Sequence, residues 1–310
     1  MSDHPSYIPH LLCETQLEPD GLYALDEETV VVSFYHLHNN RKTGALGCFH
    51  VDRAHRTAQE VSMCRTPAVH NLVPVVVQQR TLLAACTASA KVLFFSPEPA
   101  LPEVDAAVVP EVCEVLSVSV GESILVASRN DGAVSLWRPF RDGRWKPLKE
   151  FHCHDAEVWC VACRPGTNMF LTGSDDTKAV LWDDETPVTT FRFDAGVTDA
   201  VWEDADHVIL GSYDGSVRAV DLRNPRQPLW EGRVDGGAGW RLIPNGDRIV
   251  VAGACGGVAE FGRNGGKWFQ ATGPHESMVY GADALGSDII ACSFYDKKLV
   301  LWEHTADSTD

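Results

Sequence analysis

A period of about 40 residues runs through the chain and constrains its fold more than any other feature. Asp131 precedes Trp137 by six residues, and the same step separates Asp176 from Trp182, Asp214 from Val220 and Asp296 from Trp302. Ser89 and Phe95 keep the spacing with the aspartate replaced, Thr43 and Phe49 form a weaker member, and Ala254-Cys255-Gly256-Gly257 supplies a degenerate one. From Ser89 onward these anchors lie 38 to 45 residues apart. The segments 133–137 and 178–182 are apolar or alternating over five residues and are bounded by Asp/Gly turns, as half-buried strands require. Asp-Gly steps at 131–132 and 214–215 mark hairpins. No segment carries a long 3.6-residue apolar period, so helices are not expected.

Four short strands per repeat, arranged radially, make the blade of a propeller. Seven blades are expected, centred near 30–52, 70–96, 113–138, 155–183, 197–222, 238–262 and 278–303. Ring closure is expected to borrow a strand from 12–25 to complete the last blade. The stretches 97–110, 138–147 and 224–228 read as surface loops. The whole chain, 1–310, reads as one all-β domain with about ten flexible residues at its start and about six at its end. The segment 151–183 resembles a WD repeat, with His154, Ser174, Asp176 and Trp182 at positions like those of that family's structural hydrogen-bond network. The fold class is therefore a seven-bladed WD40-type β-propeller, and the same likeness makes His154 a scaffold histidine as readily as a catalytic one.

Charge and cysteine content narrow the function. A formal net charge of -17 argues against nucleic acid, which demands a basic face that releases counterions, and favours solubility or a cationic partner. No run reaches the roughly 18 apolar residues of a membrane helix, and 1–12 has no apolar signal core. Ten cysteines without a regular framework fit thiols packed as small hydrophobes in a reducing cytosol, so a cytoplasmic, monomeric protein is expected.

Beyond the repeat, the second half carries an ordered set of segments: Gly211-Ser212-Tyr213-Asp214, Asp221-Leu222-Arg223-Asn224, Gln227-Pro228-Leu229, Trp240-Arg241, Val279-Tyr280-Gly281-Ala282-Asp283 and Cys292-Ser293-Phe294-Tyr295-Asp296. This set resembles the WD-repeat diphthine methylesterase family, over roughly 151–303. The Val-Tyr-Gly-Ala-Asp and Cys-Ser-Phe-Tyr-Asp segments are the most specific, because the repeat consensus requires neither. Phe34-Tyr35-His36-Leu37 is similar to the family's early strand, whereas the family's Gly-Gly-Val-Trp-Arg stands here as Gly-Gly-Ala-Gly-Trp-Arg. The resemblance implies hydrolysis of the methyl ester of methylated diphthine on translation elongation factor 2, giving diphthine and methanol in diphthamide biosynthesis. The competing expectation is a non-catalytic WD scaffold that binds a protein partner on its top face.

Nothing else in the sequence announces an enzyme: there is no Gly-x-Ser-x-Gly elbow, no His-Glu-x-x-His and no phosphate-cradling glycine loop. Aligning the blade openings puts Trp159, Asp199, Trp240 and Tyr280 at equivalent first-strand positions, which line the channel of a propeller. Aromatic faces there could hold a quaternary ammonium by cation–π attraction, with Asp199 and Glu157 adding Coulombic attraction; the alternative is plain blade-to-blade packing. For hydrolysis the candidate bases are His154, His275, Glu157 and Asp199, with Tyr280 or Arg241 stabilising the oxyanion. Ser277, two residues from His275, is the alternative nucleophile. A metal reading rests on His152 with His154 and on His36 with His38, each pair set to one side of a strand, and on Cys160 with Cys163; no metal and no cofactor is expected.

Overall fold

The computed structural model describes residues 6–109, 113–139 and 145–305. It contains seven four-stranded antiparallel sheets and, among the described residues, no helix. Six sheets are continuous in sequence, at 19–66, 69–108, 115–152, 158–192, 197–233 and 241–271. Their strands run in order from the channel to the rim, and the first strands of neighbouring sheets pack side by side around the axis. The seventh combines 279–305 with the strand Ser6–Glu14, which pairs antiparallel with Lys298–Thr305. Seven blades are thus the observed count.

The closing strand lies earlier than expected. Ser6–Glu14 closes the ring, and Pro19–Ala24 is the innermost strand of the first blade. Residues 6–10, expected to fray, are held by the ladder to 301–305 and by Tyr7, whose hydroxyl donates to Glu260 of blade six at 3.0 Å. Arg248 donates to the same carboxylate at 3.1 Å, so the latch ties the N-terminal strand to two blades. Of the expected loops, 97–110 contains the strand Glu103–Val108, and the described residues of 138–147 belong to two paired strands, Ala133–Pro139 and Trp145–His152. The tail 306–310 and the residues 110–112 and 140–144 lie outside the described residues.

The core is not one cluster but seven, each seated between two adjacent blades. Val31 and Leu46 of blade one meet Leu83 and Phe95 of blade two, and Ile209 and Val217 of blade five meet Val251 and Phe261 of blade six. A twisted four-stranded sheet has two apolar faces, and only a ring gives every face a partner. The Asp-Gly hairpin turns form as expected: Gly132 and Gly215 take φ of 84° and 89°, and the Asp214 carboxylate accepts from the Ser216 amide at 2.7 Å.

One backbone device sets the functional end. In blades one to five and in blade seven the first strand begins with a β-bulge, one extra residue facing a single partner. The extra residues are Asp20, His70, Leu116, Trp159, Thr198 and Tyr280. In blade six Trp240 holds the equivalent position, because Arg241 pairs with Ala252 as Asp199 pairs with Gly211. These seven residues form a ring at one mouth of the channel.

Candidate functional site at the channel mouth

Below that ring a channel of about 440 Å³ runs through the propeller, lined by Asn71, Ser117, Asp199, Arg241, Tyr280 and Gly281 among others. The ring is divided by chemistry. Leu116 and Thr198 are small or aliphatic, and Thr198 is turned away, donating to the Gly239 carbonyl at 2.6 Å. That leaves room for aromatic side chains of non-adjacent blades to meet. Trp159 of blade four and Trp240 of blade six stand 5.4 Å apart at 59°, and Trp240 and Tyr280 stand 5.0 Å apart at 42°. The series continues from Tyr280 to Phe294 at 5.7 Å, to Tyr35 at 6.3 Å and to His70 at 5.2 Å. Tyr213 and Tyr295, 53% and 67% exposed, extend the aromatic surface onto the outer rim.

Trp159, Trp240 and Tyr280 are therefore brought together as the sequence alignment expected, but Asp199 is not their equivalent. It lies one residue further along the strand, at the level of Arg241, and Thr198 is the residue that matches Trp159 and Tyr280. Its carboxylate accepts from the Leu242 amide at 2.8 Å and the Ala200 amide at 2.9 Å, clasping blade five to blade six. Burial raises its pKa and the Arg241 guanidinium opposes that shift. A carboxylate so occupied is neither a free base nor a cage wall. Arg241 itself donates to the Thr198 carbonyl at 3.3 Å and lies 5.5 Å from the Trp240 ring centre.

His154, offered by sequence as a base, is structural. Its side chain has 0% exposure, Nδ1 lies 3.0 Å from Asp176 and Nε2 lies 2.7 Å from the Thr172 hydroxyl. Trp182 Nε1 donates to the same hydroxyl at 2.8 Å, which completes the WD network. Burial depresses the His154 pKa against the opposing pull of Asp176.

His275 is the blade-seven counterpart and is likewise withdrawn. Its Nδ1 contacts the Ser293 hydroxyl at 2.7 Å, and burial lowers its pKa to about 4. Ser277 does not pair with it; the Ser277 hydroxyl accepts from the Tyr295 amide at 2.8 Å, so no serine–histidine dyad exists there. Glu157 is exposed on the loop before Val158, two residues ahead of Trp159, and fits a solvated rim charge.

The metal pairings dissolve for geometric reasons. The strand Trp145–His152 ends at the exposed His152, whereas His154 is committed to the WD network. Cys160 and Cys163 point into different inter-blade clusters. His36 and His38 do stack at 6.0 Å, but His36 Nδ1 is bound to Glu18 at 2.8 Å. Among the described residues no three His, Cys, Asp or Glu side chains converge as a metal set.

Sequence reasoning missed Asp20 and His70. Asp20 sits half-buried on the ring, and among the described residues its carboxylate has no hydrogen-bond or ion-pair partner. Burial raises its pKa to about 6, with His70 and Arg241 opposing the rise. His70 Nε2 is bound to Glu114 at 2.6 Å, and Lys42 pairs with the same carboxylate. The His70 bond does most to hold Glu114 down, at a pKa of about 2. Tyr280 stays a phenol at neutral pH, since burial and then the nearby Asp20 charge push it up; its hydroxyl donates to the Met278 sulfur at 2.7 Å. A signal for part of this set existed in the sequence. Tyr35, Tyr280, Phe294 and Tyr295 all belong to segments the repeat consensus does not require, and all land at one mouth.

Comparison with known proteins agrees with this architecture. The family model described as "WD domain, G-beta repeat" matches residues 145–183. The crystal structure of the WD40 β-propeller domain of Doa1 superposes with a TM-score of 0.76 at 17% identity, covering 98% of both chains. A Dictyostelium discoideum protein named diphthine methyltransferase homolog is 28% identical over 57% of this chain and 59% of its own length. A Schizosaccharomyces pombe protein named diphthine methyltransferase is 27% identical over 61% of this chain and 60% of its own. The chain thus spans about three fifths of the length of these relatives. In architecture the chain is a seven-bladed β-propeller of the WD40 type.

Proposed function

We propose that the channel mouth binds a side chain bearing a trimethylammonium group and hydrolyses the methyl ester beside it. The substrate is methylated diphthine on elongation factor 2, and the products are diphthine and methanol, formed in the cytoplasm. The observation that carries this reading is the corner formed by Trp159, Trp240 and Tyr280, whose tilted faces meet at the mouth above Arg241. Three such faces attract a quaternary ammonium by roughly 0.5–2 kcal/mol each, depending on how completely the cation is desolvated. The relatives' names support diphthine as the ligand, and the convergence of the distinctive segments supports this mouth as its site.

Binding orients the ester. With the cation held against the rings, the neighbouring carbonyl oxygen comes within reach of Arg241, and of the Tyr280 hydroxyl once that hydroxyl turns from the Met278 sulfur, donors suited to the oxyanion of a tetrahedral intermediate. The relatives' printed word, methyltransferase, favours a second reading in which the same side chain gains a methyl instead. One experiment separates the two. Elongation factor carrying methylated diphthine is incubated with the protein, and mass spectrometry of the modified peptide is combined with methanol detection. Loss of one methyl with equimolar methanol supports hydrolysis. Methylation of diphthine that requires an added methyl donor supports transfer. No change in either substrate, with no binding, leaves a scaffold role.

A further inference from the structure

We infer that Asp20 is the general base that takes a proton from the attacking water. This assignment rests on the proposed esterase reading of the same mouth. The other acids and imidazoles nearby are committed or sealed off: Asp199 holds two backbone amides, Glu114 holds His70 and Lys42, His154 holds Asp176 and Thr172, and His275 has its Nδ1 on Ser293 and its Nε2 buried away from solvent. Glu157 is exposed in solvent. Asp20 alone combines a place on the ring, partial burial and a carboxylate without a hydrogen-bond partner among the described residues.

Its surroundings suit the task. The bulge that carries Asp20 recurs in blades two to five and seven and puts these residues together on the ring at the mouth. The charged and titratable groups that it influences or that influence it electrostatically are His70 from blade two, Arg241 from blade six, and Tyr280 and Cys292 from blade seven. Arg241 and Tyr280 are the groups placed at the oxyanion, so base and electrophilic donors stand around one opening. Burial holds the Asp20 pKa near 6, which gives a carboxylate that is ionised at neutral pH yet basic enough to accept a proton.

The step balances without a cofactor. Asp20 removes a proton from water as the water oxygen bonds to the ester carbon, and the carbonyl π pair moves onto oxygen. Collapse of that oxyanion breaks the bond to the methoxy oxygen, and the proton on Asp20 passes to it, releasing methanol. The new carboxylic acid loses its proton to solvent.

The test is steady-state kinetics of Asp20→Asn on the methylated-diphthine factor, with KM, kcat and binding of a non-hydrolysable trimethylammonium analogue measured separately. A loss of kcat of roughly 10²–10⁴-fold with analogue affinity unchanged is expected. In the wild type, kcat/KM should rise with pH through about 6. The acid limb of kcat should lie lower, because a bound cation stabilises the carboxylate. Three results would overturn the assignment: turnover of Asp20→Asn within tenfold of wild type, a loss confined to affinity, or an acid limb that persists unchanged in residual activity. The first would also shift the base to His70 if His70→Gln were then inactive. If the wild type binds the analogue but never releases methanol, the esterase reading falls and Asp20 with it. If Trp240→Ala loses affinity while Asp20→Asn turns over normally, only the Asp20 assignment falls.

Discussion

Blade four and the channel mouth treat polar side chains in opposite ways. In blade four, His154, Thr172, Asp176 and Trp182 satisfy one another completely, out of water. At the mouth, less than a blade's width away in sequence from the closing strand, Asp20 stands half-buried with no partner for its carboxylate among the described residues. Buried polar groups that are fully bonded rigidify a fold, whereas a half-buried ionisable group without a protein partner in a cleft has a perturbed pKa and marks a candidate functional site. Two polar sites in one protein therefore separate into scaffold and candidate chemistry by their partners, not by residue type.

The largest test of that contrast is His154→Ala. Removing the imidazole strands Asp176 and leaves a void beside Trp182, so unfolding free energy should fall by about 2–4 kcal/mol. Activity per folded molecule should be retained, as denaturant melts combined with active-site titration would report. Loss of turnover in a fully folded variant would break the distinction.

Trp240→Ala probes the other region. It removes a face shared with Trp159, Tyr280 and Arg241. Calorimetric affinity for a trimethylammonium ligand should weaken by about 1–3 kcal/mol, from lost cation–π attraction and lost apolar contact. The melting temperature should move much less than for His154→Ala. Equal destabilisation by both variants would show that the aromatic corner is only blade-to-blade packing.

Asp20→Asn sharpens the comparison through stability. Its folded pKa of about 6 lies above the unfolded value near 3.9, so the native state prefers the protonated form. The stability this contributes is fully present below about pH 4 and is lost as pH rises through 6. The Asn variant escapes that loss and should be more stable than wild type by about 1–2 kcal/mol at pH 8, discounted for water in the channel. The two proteins should converge near pH 4. An Asn variant less stable at pH 8 would mean that Asp20 has a structural partner after all.

The smallest effect concerns blade seven, where the blade-four network is incomplete. Ala291 pairs with Val300 as Thr172 pairs with Val180, so the bridging hydroxyl is missing. Accordingly His275 Nε2 and Trp302 Nε1 are buried without a partner among the described residues. Ala291→Thr should restore the bridge and raise stability by about 0.5–1.5 kcal/mol. A lower melting temperature would show that the space between the two rings cannot take a hydroxyl.

How much of the site was legible follows from where each residue lies in the repeat. Trp159, Trp240 and Tyr280 could be aligned because each opens a blade whose later turn is marked in sequence. Asp199 reads one residue off, because the polar pair Thr198-Asp199 gives no sign in sequence of which member matches Trp159. Asp20 is hidden in sequence because the stretch 12–25 that holds it reads as the ring-closing strand. His154 was chosen for a residue type that the WD network and catalysis share, and only its bonds to Thr172 and Asp176 tell the two apart.

The sequence by itself determined the blade: a short-range pattern of alternating strands, Asp-Gly turns and a fixed six-residue step, repeated often enough to require seven units. These are local preferences, written in neighbouring residues. The tertiary structure decided which strand closes the ring, which first-strand residues face one another across the channel, and which polar groups remain unpartnered. Those outcomes depend on contacts such as Tyr7 with Glu260 and Trp159 with Trp240, between residues far apart in the chain. No local pattern encodes them, because the partner that satisfies a buried group is fixed only when the ring shuts.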